Sequence, residues 1–81
     1  MKVYVGFFSK LREKLDPKPP IGDRIEVEVE ENDTLRYVAS KFLDDVDEIA
    51  IIMVNGIHQS LDYQIKEDGL KVSFFPVSGG G

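Results

Sequence analysis

Residues 31–45 read ENDTLRYVASKFLDD, the one segment of the chain with an unmistakable helical period. Leu35, Val38, Ala39, Phe42 and Leu43 recur at i, i+3, i+4, i+7 and i+8, and Asp33 or Thr34 is placed to cap the first turn. Only one stripe is apolar, so this helix is expected to lie across a sheet with its other side in water. Before it, RIEVEVE (24–30) alternates without error, with Ile25, Val27 and Val29 on one face and Arg24, Glu26, Glu28 and Glu30 on the other. Earlier still, KVYVGFF (2–8) is β-branched and aromatic, a first strand that puts Val3, Val5 and Phe7 on one side. A short helix is expected to follow it, with Ser9 as its cap and Leu11 and Leu15 on one side.

On the C-terminal side, EIAIIMV (48–54) is almost wholly apolar and reads as a strand buried on both faces. Asn55-Gly56 is a strong hairpin signal, returning the chain through IHQS, and LDYQIKEDG (61–69) reads as loop and turn. LKVSFFPV (70–77) is the last strand, with Leu70, Val72 and Phe74 inward and Ser73 and Phe75 outward. Pro76 lacks a ladder donor, so regular pairing is expected to end there. The order β-β-α-β-β-β, with one main helix on one face of a mixed sheet of four to five strands, predicts a two-layer α+β domain. The first and last strands can lie side by side and parallel. Residues 1–76 are expected to form the domain and 77–81 a flexible arm.

Eighty-one residues suffice for one modest core and no deep cleft. A net charge of −5 argues against nucleic-acid binding, which needs Lys and Arg on phosphates. Without cysteine the chain can form no disulfide, thiolate metal site or catalytic thiol. No apolar run approaches a membrane span and no signal-peptide core opens the sequence, so a cytoplasmic protein, with no membrane partner, is expected.

Side chains offer little chemistry. His58 is the lone histidine and has no cysteine beside it, which argues against a metal site. Asp44, Asp45, Asp47 and Glu48 lack the spacing and glycine of a calcium loop, and Gly6, Gly22, Gly56 and Gly69 are isolated and cradle no phosphate. The proline-rich stretch DPKPPIGD (16–23) can only be a stiff loop, and it has no assigned role. What is left is the end of the chain, FFPVSGGG (74–81), where three glycines follow a strand. A frayed terminus is the plain reading. The alternative is a carboxylate at Gly81 that a partner activates by adenylation, for attack by sulfur or by an amine. Gly79 and Gly80, having no Cβ, allow a narrow channel and leave the carbonyl open. Six residues follow Phe75, ending at Gly81, and span at most ~20 Å when extended.

The motifs Phe7-Phe8, Leu11-Arg12-Glu13, Val54-Asn55-Gly56 and the terminal V.FFPVSGGG together resemble the ubiquitin-like sulfur carriers, and most of all the molybdopterin synthase small subunit. The likeness spans the whole chain and is most specific at its C-terminus. Where that family usually reads Pro-Pro-Val-Ser/Thr-Gly-Gly, this chain reads Pro76-Val77-Ser78-Gly79-Gly80-Gly81, an arm of equal length with one proline fewer.

The resemblance implies the β-grasp fold and a chain that is not itself an enzyme. It implies an E1-like enzyme that uses ATP-Mg to adenylate Gly81, and a sulfurtransferase or persulfide that converts the adenylate to a thiocarboxylate. It further implies a synthase large subunit that receives the sulfur for the dithiolene of the molybdenum or tungsten cofactor. The free chain would be a monomer with no cofactor of its own. Phe8, Phe75, Pro76, Val77, Ser78 and His58 are the expected docking residues. Two alternatives stay open: a thiamine-pathway carrier or ubiquitin-like protein modifier, and a β-grasp interaction module with an incidental tail.

Overall fold

The computed structural model, which describes residues 1–77, runs β1 (Lys2–Phe7), α1 (Lys10–Glu13), β2 (Ile25–Glu28), α2 (Leu35–Ser40), a 3-10 turn (Val46–Glu48), β3 (Ile49–Val54), β4 (Ile57–Gln59) and β5 (Leu70–Pro76). The strands form one mixed sheet in the order β2-β1-β5-β3-β4. β1 and β5 are parallel neighbours at its centre, in a register that sets Val5 beside Val72 and Phe7 beside Phe74. The other three pairings are antiparallel.

One face of the sheet is covered and the other is open. Val3, Val5, Phe7, Val27, Val72 and Phe74 project to the covered side and meet Leu35, Val38, Ala39 and Leu43, all buried. The i, i+3, i+4 spacing fixes which side of α2 this is. The helix is shorter than its apolar period. The Ser40 hydroxyl donates to the Tyr37 carbonyl at 2.6 Å, while Phe42 and Leu43 follow in a turn whose amides return to Ala39. A serine that bonds its own preceding turn weakens a helix from within. Thr34 is the cap: its Oγ1 accepts from the Tyr37 amide at 3.1 Å.

Three expectations change. Ser9 does not cap α1, since its side chain makes no capping bond and its backbone sits at φ 53°. β3 is buried on one face only, because among the described residues no helix covers the other side of the sheet; Ala50 and Ile51 are exposed and Met53 is half-buried. The loop 61–69 is not merely a connection. Ile65 is fully buried, and its amide and carbonyl pair with Asp33 and Asn32, so the segment is sewn to the start of α2.

Candidate functional site

On the open face, the last residue pair of the central strands sets the site. The Phe8 amide donates to the Phe74 carbonyl at 3.1 Å, carrying the β1–β5 pairing one step past the strand end. Period-two alternation turns Phe7 and Phe74 into the core, so Phe8 and Phe75 emerge on the outside. Their rings stack at a centroid distance of 4.8 Å and an interplanar angle of 14°. Phe8 is 37% exposed and Phe75 half-buried.

β3 extends the patch through a bulge. Ile49 pairs with Pro76 but Ile51 pairs with Phe75, which leaves Ala50 as an extra residue. One added residue reverses the alternation. Ile49 therefore points into the core, while Ile51, 43% exposed, emerges beside Phe75. Met53 follows Ile51 on the same face, with Ser73 on one side and His58 on the other. His58 is exposed and lies at the β4 edge of this face, a full strand beyond Ile51 and Met53.

Pro76 ends β5 opposite Ile49, and the Val77 amide donates to the Glu48 carbonyl at 3.1 Å. The chain thus leaves the sheet beside α1 and the 3-10 turn, in a cleft of about 360 Å³ lined by Lys10, Lys14, Asp47, Glu48 and Val77. Lys14 pairs with Glu48 at 3.0 Å. Asp45 accepts from the Asp47 amide at 2.9 Å, so part of the acidic cluster shapes the turn. Ser78, Gly79, Gly80 and Gly81 lie outside the described residues. Among the described residues no group of three His, Cys, Asp or Glu side chains converges on a metal position, and no helix is long and apolar enough to cross a membrane.

Of the expected docking residues, Phe8 and Phe75 come together on the open face, Pro76 and Val77 line the cleft beside α1 instead, and His58 lies apart. Sequence reasoning missed Ile51 and Met53, which alternation alone would have paired with Ile49. The bulge that separates them leaves no mark in EIAIIMV. It also missed Arg24. Its guanidinium crosses β1 above Gly6 and donates to the Val72 carbonyl at 2.8 Å and the Ser73 hydroxyl at 3.1 Å.

No family model matches the chain, and a search of curated proteins finds no match. Solved structures do match. SAMP1 from Haloferax volcanii superposes with a TM-score of 0.72 at 15% identity, over 100% of both chains. A protein from Pyrococcus furiosus described as "putative molybdopterin converting factor, subunit 1" superposes with a TM-score of 0.66 at 27% identity, over 93% of this chain and 95% of that one. The helix packed across a five-stranded sheet with parallel central strands is the β-grasp fold, and this chain is a ubiquitin-like domain similar along most of its length to the Pyrococcus subunit.

Proposed function

We propose that this chain is a sulfur carrier of molybdopterin synthesis. The observation that supports the reading is the likeness to the Pyrococcus converting-factor subunit over 93% of the chain, at 27% identity, with an aromatic docking pair at the base of a glycine tail. The carboxylate of Gly81 attacks the α-phosphorus of ATP on an E1-like enzyme, and pyrophosphate leaves. A persulfide sulfur then attacks the acyl carbon and AMP leaves. Thiol cleavage of the resulting S–S bond frees the thiocarboxylate and yields a disulfide on the donor. The loaded tail next enters a synthase large subunit, where sulfur passes to the pterin precursor and Gly81 returns as a carboxylate.

In this scheme the chain's own residues dock and present. Phe8, Phe75 and Ile51 supply an apolar contact, and aromatic anchors dominate such interfaces. The Val77–Glu48 bond fixes the point from which the tail departs.

Incubation with the activating enzyme, ATP-Mg and a sulfur donor should exchange one terminal oxygen for sulfur. Intact-mass spectrometry reads the gain, and fragmentation assigns it to Gly81. Appearance of a lysine-linked conjugate in place of the thiocarboxylate would favour the modifier reading. If a chain lacking Gly81 supports cofactor synthesis as well as the intact one, the carrier reading fails.

A further inference from the structure

The proline-rich loop 16–23 has no role in the scheme proposed above, yet its tip carries Ile21 at 89% exposure, the most exposed large apolar side chain among the described residues. A single exposed isoleucine needs no explanation by itself. Its setting does. The Arg12 guanidinium donates to the Pro19 carbonyl, the Asp23 amide donates to the Pro20 carbonyl at 3.0 Å, and three prolines restrict the backbone. The loop is thereby held off the end of β1 across a cleft of about 370 Å³, with Gly6, Phe8, Arg12, Pro19, Ile21 and Arg24 among its walls. Phe8 belongs to both places: one surface of the cleft is the ring that stacks on Phe75. The cleft therefore continues the docking face sideways.

Arg24 supplies the charge. Its two hydrogen bonds go to neutral oxygens, and among the described residues no carboxylate lies within ion-pair distance of it, although the chain carries fifteen acidic side chains. Gly6 makes this position accessible, for a Cβ there would stand 3.2 Å from Nη1 and 3.0 Å from the Phe8 ring. A guanidinium has five N–H donors, of which two are engaged here. An always-ionised fork held in place by neutral acceptors is prearranged for a carboxylate from outside.

We infer that this cleft is a second anchor of the docking face, taking a segment of the synthase large subunit in which a carboxylate stands beside an aliphatic side chain. The carboxylate pairs with Arg24 and the aliphatic group lies between Phe8 and Ile21. Proline stiffening lowers the ordering cost of such a contact. The inference rests on the carrier reading, since it extends the same face toward the same partner.

Titration calorimetry of the full chain against the synthase large subunit tests it, using Ile21→Ser, Arg24→Gln and Arg24→Glu beside Phe75→Ala. Ile21→Ser and Arg24→Gln should each weaken binding roughly five- to thirtyfold, the range of an interface anchor. Arg24→Glu should weaken it further, and Arg24→Gln should flatten the dependence of affinity on salt. If Phe75→Ala weakens binding while the Ile21 and Arg24 variants match the parent, the second anchor is wrong and the docking face stands. If the intact chain does not bind the large subunit at all, the carrier reading and the anchor fall together.

Discussion

Phe8 and Phe75 stack at 4.8 Å on the outside of the sheet, while Phe7 and Phe74, one residue earlier on the same two strands, meet at 5.2 Å on the inside. Two Phe-Phe dipeptides on adjacent parallel strands thus make two aromatic pairs, one in the core and one at the surface. Which pair does which follows from the side that α2 covers.

Exchange of single rings separates these roles. Phe74→Ala empties a fully buried site and should cost about 3–5 kcal/mol of stability, read by urea unfolding. Phe75→Ala should leave the unfolding midpoint nearly unchanged and weaken partner binding by ~1–3 kcal/mol. A large loss of stability from Phe75→Ala would show that the stack belongs to the fold rather than to docking.

The cap of α2 gives a second test. Thr34→Ala removes the acceptor for the Tyr37 amide and should cost about 1 kcal/mol, with Thr34→Asp close to neutral. Denaturant midpoints of the two variants decide it. A negligible loss from Thr34→Ala would mean that the start of α2 is held by its backbone contacts to Leu61 and Tyr63 instead.

Much of this architecture is legible in the residues. The period of Leu35, Val38, Ala39 and Leu43 identifies the buried side of α2, and the alternation of RIEVEVE identifies the half-buried strand beside β1. The chemistry expected of the tail rests on FFPVSGGG and its family likeness alone, since Ser78 to Gly81 lie outside the described residues. What escaped depends on long-range geometry. The bulge at Ala50 arises from pairing with β5, and no local pattern announces it. Arg24 looks like one more residue of a solvated face until β1 and β5 are set side by side. Leu61, Tyr63 and Ile65 did carry a signal, an apolar period of two, masked by the turn residues around them.

Lys2 and Glu26 form a diagonal cross-strand ion pair at 3.1 Å on the open face. The hydrogen bond and charge of Glu26 raise the Lys2 pKa above its ordinary 10.5. A raised lysine contributes stability that is fully present below the unfolded value and is lost as pH climbs through the folded one. The stability difference between the parent and Lys2→Met should therefore be small and constant from neutral pH to about 10.5, then vanish above it. Both partners are about half exposed, so added salt should shrink it throughout. A difference that grows with alkaline pH would contradict this assignment.

Ser9 occupies a conformation suited to glycine. At φ 53° and ψ −130° it is the first central residue of the turn from Phe8 to Leu11, whose ends are joined by the Leu11 amide and the Phe8 carbonyl at 3.1 Å. That is a type II′ geometry, in which a side chain is strained by an order of 1–3 kcal/mol. The Ser9 side chain makes no capping bond that would offset the strain. Ser9→Gly relieves it against an unfolded-chain entropy penalty of roughly 0.5–1 kcal/mol, for a net gain of ~0.5–2 kcal/mol in urea unfolding. Ser9→Val should lose stability, because a β-branched residue tolerates positive φ least. It should also disturb the Phe8–Phe75 contact, seen as weakened cross-peaks between the two rings by NMR. If Ser9→Gly instead destabilises the domain, the hydroxyl has a role in holding Phe8 outward, and the turn is set by serine chemistry rather than by backbone strain.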